Sequence, residues 1–352
     1  MKTLAITATD EGTGKTAIAL ALGLIAQDRD TAVGYMKPKG TRLQSRVGKI
    51  VDRDPLLATE LLGLEADLQS LEPIVYSPTF IENAVRGQED PAALRRRIRT
   101  LFDELAADRE LMVLEGAGRL ETGGIVELTD PQIATELDAE VVLVAGFEQL
   151  GDLDALLAAM QVIGDRLSGV IFNGVRDAAY DRLERDAIPF LEKRGAPVFG
   201  VLPHDPDLAG VTIDELAGEL GAERLTAGNE DAIVERFLVG AMGGDEALRF
   251  FRRTRNAAVI TGGDRSEIHA AAMEAPGVAC LVLTGGHRPS RTVLGKAEQA
   301  GLPVLAVTGD TLSTVERTEN VVRSGRTRDA ETVRRMRALL ESHADVDRIL
   351  GT

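Results

Sequence analysis

Residues 4–16 constrain the fold more than any other stretch. The apolar run Leu4–Ala8 leads through Thr9-Asp10-Glu11-Gly12-Thr13-Gly14-Lys15-Thr16 into an apolar helical pattern at Ala17–Ala26. A buried strand that feeds a glycine-bearing loop and then a helix is the first half of a β-α-β unit. The glycines let successive backbone N–H groups turn toward an anion, and the helix presents its positive N-terminus to the same point. Lys15 can reach β- and γ-phosphates and the Thr16 hydroxyl can ligate Mg²⁺. The stretch therefore predicts a nucleoside triphosphate site with Glu11, Gly12, Thr13, Gly14, Lys15 and Thr16 as binding residues. The spacing G-x-x-x-x-G-K-[ST] would place glycine where this chain has Thr9, so the signal rests on Gly12, Gly14, Lys15 and Thr16. A glycine-rich turn without a ligand is the plainer reading. The order strand, loop, Lys-Thr, helix favours the phosphate site.

The pattern continues beyond this unit. Leu4–Ala8, Ala32–Met36, Leu111–Leu114, Val141–Ala145, Val170–Phe172 and Val198–Val201 are compact apolar runs of the kind found in buried parallel strands. Helical patterns at Thr16–Ala26, Pro55–Leu62, Pro91–Ala107, Pro131–Leu137, Asp152–Ile163 and Ala179–Arg194 separate them. The expected fold class is α/β: a doubly wound parallel sheet with its ligand crevice at the strand C-termini, followed by a smaller α/β domain. In that second part, strands at Ala257–Ile260, Cys280–Leu283 and Val304–Val307 alternate with helices at Asp264–Ala275, Pro289–Ala300 and Thr311–Asn320. The expected boundaries are 1–210 for the nucleotide-binding domain, 211–229 for a linker with a short helix and acidic or glycine-bearing turns, 230–325 for the second domain and 326–352 for a C-terminal helix without chemistry. Two strand ends carry nearly the same phrase, Ile260-Thr261-Gly262-Gly263 and Leu283-Thr284-Gly285-Gly286, which suggests equivalent turns around one crevice or a subunit contact.

Length and charge narrow the classes. At 352 residues, two or three units are the natural expectation. No stretch of eighteen apolar residues occurs and the N-terminus enters a strand directly, so a soluble, unexported, cytoplasmic protein is expected. A net charge of −16 argues against a general nucleic-acid or membrane-surface role. Only seven of the 40 basic residues are lysines, and five of those, Lys2, Lys15, Lys37, Lys39 and Lys49, lie in the first fifty positions. Arg42, Arg46 and Arg53 join them in a basic segment after the second strand, where an anionic ligand is favoured over a solvated loop. Cys280, the single cysteine, sits in an apolar run and reads as a small buried hydrophobe. His204, His269, His287 and His343 are dispersed and show no metal-ligand spacing.

A triphosphate site needs carboxylates for its metal. Glu115 follows the run Leu111–Leu114 and precedes Gly116-Ala117-Gly118, at the sheet edge that should face the loop, and is the first candidate. Asp52 and Asp54 precede a helix, where either is a helix cap or a metal ligand. Asp54 and Glu11 rank next after Glu115, with Thr16 completing the metal set.

The loop at 8–16, Gly34-Tyr35-Met36-Lys37-Pro38, Glu115-Gly116-Ala117-Gly118 and Ile171-Phe172-Asn173-Gly174-Val175 together resemble dethiobiotin synthetase and the cobyrinic acid a,c-diamide synthases. The resemblance implies that Lys37 contacts substrate or phosphate alongside Lys15, that Glu115 and Asp54 hold Mg²⁺, and that Asn173 contacts the base of ATP. Gly240-Ala241-Met242, Ala247-Leu248-Arg249-Phe250-Phe251, Gly263-Asp264-Arg265, Thr284-Gly285-Gly286 and Asp310-Thr311 resemble the DRTGG domain, a small regulatory module. That implies a regulatory ligand at Asp264, Arg265, Thr284, Gly285, Gly286 and Asp310; helix capping and surface pairing are the plainer roles for Asp264, Arg265 and Asp310. The combination is similar to the N-terminal region of long bacterial phosphate acetyltransferases and to stand-alone archaeal relatives. Those acetyltransferases carry their catalytic domain after the DRTGG domain, and about thirty residues remain here, so acetyl transfer is not expected.

Two functions follow as expectations. One is an ATP-binding, Mg²⁺-dependent regulatory protein that signals through the second domain to a metabolic-enzyme partner. The other is an ATP-dependent carbon–nitrogen ligase in which Lys37 and the basic loop hold an acid; Cys280 lies in the wrong strand to serve glutamine-fed amidation. A homodimer is expected from the resemblance and from the paired glycine turns.

Overall fold

A computed structural model describes residues 1–41, 43–46, 49–228, 232–324 and 329–352, without the side chains of 44–46, 49–51, 320 and 322–324. It divides into two compact units, Met1–His204 with Thr327–Thr352, and Asp205–Arg326.

In the first unit six parallel strands form one sheet: β1 (Lys2–Ala8), β2 (Val33–Met36), β3 (Leu111–Glu115), β4 (Glu140–Ala145), β5 (Leu167–Val175) and β6 (Val198–Pro203). Their order is β6-β5-β4-β1-β3-β2. The chain leaves β1 for the far edge, returns to β3 beside β1, and then crosses to β4 on the other flank. This reversal beside β1 opens a crevice at its carboxyl end, where helix α1 (Lys15–Gln27) begins. β1 is buried from Leu4 to Ala8, as a strand flanked on both sides and covered on both faces must be. α1 is buried almost throughout. Helices α2 (Arg53–Leu62), α3 (Pro91–Ala106), α4 (Asp130–Glu136) and α5 (Leu153–Ile163) complete the layers with α6 (Asp177–Arg182) and α7 (Ile188–Glu192). The helix expected over 179–194 is interrupted by a π-turn at Leu183–Ala187. Pro189 follows it, and a proline without an N–H cannot return the ordinary bond to the preceding turn.

In the second unit the short strand β7 (Glu223–Arg224) is antiparallel to its neighbour, and β8 (Arg236–Val239), β9 (Ala257–Gly262), β10 (Val278–Thr284) and β11 (Val304–Ala306) are parallel, in the order β7-β11-β10-β9-β8. α8 (Ile213–Leu220) and α12 (Thr311–Ser324) cover one face, and α9 (Gly244–Phe251), α10 (Ser266–Met273) and α11 (Arg291–Gln299) cover the other. Strand alternation separates the two cores: Ala258, Ile260, Cys280 and Val282 face α8, while Val259, Leu281 and Leu283 face α9 to α11.

Two segments differ from expectation. Residues 211–229, read as a linker holding a short helix, contain that helix as α8 and the strand β7 besides. Ile213, Leu216 and Leu220 are buried against β9 and β10, so this segment is part of the second core. The C-terminal stretch, read as one helix without chemistry, forms α13 (Ala330–His343) and α14 (Val346–Leu350). α13 packs on α1 through a buried face that includes Val333, Met336 and Leu340. The Met336 methyl lies 3.7 Å from the point a Cβ on Gly14 would occupy. The expected boundaries at 229/230 and 325/326 fall outside the described residues. Among the described residues no helix is long and apolar enough to cross a membrane.

Candidate functional site

The crevice at the end of β1 gathers side chains from four separate stretches. Gly12 and Gly14 adopt φ of +68° and +91°, conformations that turn the loop's amides inward and favour glycine. Thr16, in the first turn of α1, donates through Oγ1 to Glu115 Oε1 at 2.6 Å and approaches Asp54 Oδ2 at 3.3 Å. Glu115 arrives because β3 pairs with β1 in the register Ile6 to Glu115. Asp54 arrives on the first turn of α2, whose N-cap is Asp52. The sequence left the roles of these two aspartates open; Asp52 caps the helix by accepting from the Asp54 N–H at 2.8 Å, and Asp54 turns to Thr16.

Lys37 lies fully buried at the centre of this group. Its ammonium pairs with Asp54, with Asp52 Oδ2 at 2.9 Å and with Glu115 Oε1 at 3.6 Å. Burial alone would lower the lysine's pKa, but the carboxylates of Asp54, Glu115 and Asp52 outweigh it and hold the group charged above its ordinary value. Glu115 is pushed up to about 7 by burial, against the pull of Lys37. The Tyr35 hydroxyl donates to its second oxygen at 2.6 Å, and burial followed by the Glu115 charge raises that phenol. Lys15 is buried, its ammonium donates to the Gly118 carbonyl, and burial is the main cause of its lowered pKa.

Asn173, near the carboxyl end of β5, donates to the Thr13 carbonyl at 2.8 Å; a Cβ on Gly14 would stand 2.4 Å from its amide nitrogen. The side chain thus braces the phosphate loop. Glu11 is exposed at the loop, 3.3 Å from the point a Cβ on Gly118 would occupy. The oxygens of Thr16, Asp54 and Glu115 are the hard donors that suit Mg²⁺, and they converge within hydrogen-bond distance of one another. Among the described residues no group of three His, Cys, Asp or Glu side chains is placed to hold a metal ion.

The basic segment behaves differently from the expected anion surface. Lys37 and Lys39 are interior cations paired to carboxylates. Lys2 pairs with Glu140 at 3.2 Å. Arg42 and the side chains of Arg46 and Lys49 lie outside the described residues. Sequence reasoning did not single out Asp130, Glu72 or Tyr35. Lys39 Nζ donates to Thr122 O at 2.6 Å, to Leu128 O and to Asp130 Oδ1 at 3.0 Å, which fastens the loop after β3 to the segment after β2. Asp130 also accepts from Thr7 at 2.6 Å. Glu72 accepts from the Asp52 N–H at 2.8 Å, while its other oxygen is buried without a hydrogen bond, and burial pushes its carboxyl up to about 7. The scarcity of lysine was the one available signal, and it pointed to Lys39. Asp130 reads in sequence as an ordinary first-turn acid.

In the second unit the glycine phrases meet at the carboxyl ends of adjacent strands β9 and β10. A Cβ on Gly263 would lie 2.0 Å from the His287 carbonyl, so the two turns interlock within one copy. Thr284 shares a 2.7 Å hydrogen bond with Thr311. Asp310 caps the Ser313 N–H at 3.0 Å, Arg265 donates to Met242 O at 3.0 Å and to Glu267 at 2.9 Å, and Asp264 Oδ1 lies 2.6 Å from the Cβ position of Gly262. The structure thus brings Asp264, Thr284, Gly285, Gly286 and Asp310 to one edge. Asp310 and Arg265 are engaged in the capping and pairing roles that the sequence had held open.

Comparison with known proteins agrees with this division. Residues 2–212 match the family described as AAA domain, and residues 215–321 match the DRTGG domain. A phosphate acetyltransferase of Pseudomonas putida is 27% identical over 364 residues, covering 98% of this chain and 51% of that protein. The chain thus spans about half the length of the phosphate acetyltransferase it matches. An ATP-dependent dethiobiotin synthetase of Frankia casuarinae is 34% identical over 211 residues, covering 58% of this chain and 84% of that protein. Among solved structures, the CBS and DRTGG domains of the regulatory region of Clostridium perfringens pyrophosphatase, complexed with the activator diadenosine tetraphosphate, align with 39% of this chain and 68% of that one, at 19% identity and a TM-score of 0.30.

Proposed function

The chain belongs to the AAA domain family in its dethiobiotin synthetase-like form and carries a DRTGG domain beside it, and from that premise we propose that it is an ATP-binding regulatory protein acting as a homodimer on a metabolic enzyme. The observation that carries this reading is the joining, in one chain, of the Lys15, Thr16 and Glu115 constellation to a DRTGG unit. Gly12 to Thr16 would cradle the phosphates with backbone amides, and Lys15 would exchange the Gly118 carbonyl for a phosphate oxygen. Thr16, Asp54 and Glu115 would hold Mg²⁺, which supplies charge neutralisation to the triphosphate when bound. Asn173 would keep the loop in register for the base. The edge formed by Asp264, Thr284, Gly285, Gly286 and Asp310 would take the regulatory ligand, and the two sites would be coupled by differential affinity between states.

A ligase reading has one observation in its favour: Lys37 lies beside Thr16, Asp54 and Glu115, and on exchanging a carboxylate partner its ammonium would be free to meet an acid substrate next to the γ-phosphate. Calorimetry with ATP and ADP on the wild type and Lys15→Ala, together with a phosphate-release assay over a dicarboxylic and amino-acid library, separates the readings. Binding that Lys15→Ala abolishes, with little turnover, is the expected result. Substrate-dependent phosphate release would establish the ligase instead. Unchanged binding by Lys15→Ala would overturn both.

A further inference from the structure

α9 is a short helix with one face in the core and one outside. Ala247 and Phe251 are fully buried, whereas Glu246, Arg249, Phe250 and Arg253 are exposed, Phe250 to 51%. The N–H groups of Arg252 and Arg253 return to Leu248 O and Phe250 O at 3.0 and 3.1 Å, so the chain continues past Phe251 in a tighter, three-residue turn that carries Arg253. Asp245 and Arg252 are exposed as well, but these four fall at i, i+3, i+4 and i+7, a single stripe. Among the described residues, none of Glu246, Arg249 and Arg253 makes an ion pair, although surface arginines of the first unit such as Arg95, Arg99 and Arg166 do. Arginines in a last turn complement the helix dipole, but that accounts neither for an exposed phenylalanine nor for a glutamate and an arginine one turn apart that do not pair.

The stripe is complementary to itself. A two-fold axis passing between positions 249 and 250 of two antiparallel helices sets Glu246 opposite Arg253 and Arg249 opposite Phe250, twice over. We propose that this stripe of α9 is the contact between two copies of the chain, closed by two Glu246–Arg253 ion pairs and two Arg249–Phe250 cation–π contacts. An isologous contact requires this self-matching of one patch, and a chain of net charge −16 needs local charge pairing to overcome the repulsion between copies. A helix pair of this length falls short of the roughly 1,200 Å² that a stable interface buries, so the association it supports is weak and sensitive to salt. The inference rests on the homodimer reading and gives it an address. The glycine turns, which interlock within one copy, are not that address.

The test is sedimentation equilibrium of the full chain from about 1 to 500 µM, at about 50 and 500 mM salt. Glu246→Arg and Arg253→Glu each set like charges face to face and are expected to raise the dimer Kd at least about tenfold, while the double variant restores it to within about threefold. Phe250→Ala weakens the dimer without a change in its salt dependence. All four positions are exposed, so thermal melts should match the wild type and certify folding. A monomer at every concentration overturns both the homodimer reading and the interface. A dimer indifferent to Glu246→Arg, or one not restored by the double variant, overturns the interface alone.

Discussion

Removing the ammonium of Lys39 tests whether the crevice is held from beneath by a buried cation. Lys39→Met keeps the length of the side chain and its apolar stem but strands three acceptors in the interior: Thr122 O, Leu128 O and the Asp130 carboxylate. Asp130 retains Thr7, the Ala117 N–H at 3.4 Å and the field of Lys15, yet it loses the one cation paired directly to it among the described residues. Breaking a buried ion pair from one side costs about 3–5 kcal/mol, against a total of about 5–15 kcal/mol for a folded domain. With a urea dependence of about 2.5 kcal/mol per molar, the first unit's unfolding midpoint should fall by about 1.5 M. The assay is tyrosine fluorescence, because the chain has no tryptophan and its three tyrosines, Tyr35, Tyr76 and Tyr180, all lie in the first unit, so the signal reports that unit alone. Adding Asp130→Asn removes the stranded charge, and the double variant should recover at least about 2 kcal/mol relative to the sum of the singles. The loop from Gly116 to Asp130 also supplies the Gly118 carbonyl to Lys15, so Lys39→Met should weaken ATP binding more than Asp130→Asn/Lys39→Met does. A midpoint that moves by less than about 0.3 M, or single effects that simply add, would refute the idea of a coupled pin.

Three further outcomes are expected. Gly40→Ala would set a Cβ 1.7 Å from Glu72 Oε1 and 2.9 Å from Asp52 Cβ, and should cost about 3 kcal/mol, relieved in part by Glu72→Ala, as read in the same urea titration. Glu72, whose carboxyl is raised to about 7 chiefly by burial, binds its proton more tightly folded than unfolded. Its stabilising contribution is therefore complete below the unfolded pKa of 4.5 and is lost as pH rises through about 7, by an amount on the order of 2 kcal/mol; Glu72→Gln should flatten that loss in melts recorded from pH 4.5 to 8. Cys280, fully buried in β10 with its thiol pushed up to about 12 by burial, should resist a disulfide reagent at pH 8 until denaturant is added; rapid labelling of the native chain would contradict its place in the core.

Much of the first sheet was legible in the sequence because buried parallel strands are continuous apolar runs, and Leu111–Leu114 or Val141–Ala145 can hardly be anything else. The phosphate loop was legible for the same local reason: its glycines, lysine and threonine act within one turn of chain. The short helix in 211–229 was legible from the spacing of Ile213, Leu216 and Leu220, but its place in the second core was not, because the strands it packs on lie far along the chain and polar and glycine residues surround it. The π-turn before Pro189 is not legible in the sequence, because the helical pattern of 179–194 runs through it.

The sequence by itself determined the strand–loop–helix that can grip phosphates, the carboxylate at the end of β3, and the presence of two α/β parts, since each depends on neighbours in the chain. Only the tertiary structure decided that Lys37 would be enclosed by Asp52, Asp54 and Glu115, and that Lys39 would reach across 91 positions to Asp130. Lys37 and Lys39, which look like part of a surface for anions in a linear reading, become interior counter-ions once the chain folds. A lysine's partner is set by which strand ends meet at the crevice, and the strand order β4-β1-β3-β2 is a property of the closed sheet rather than of any local pattern.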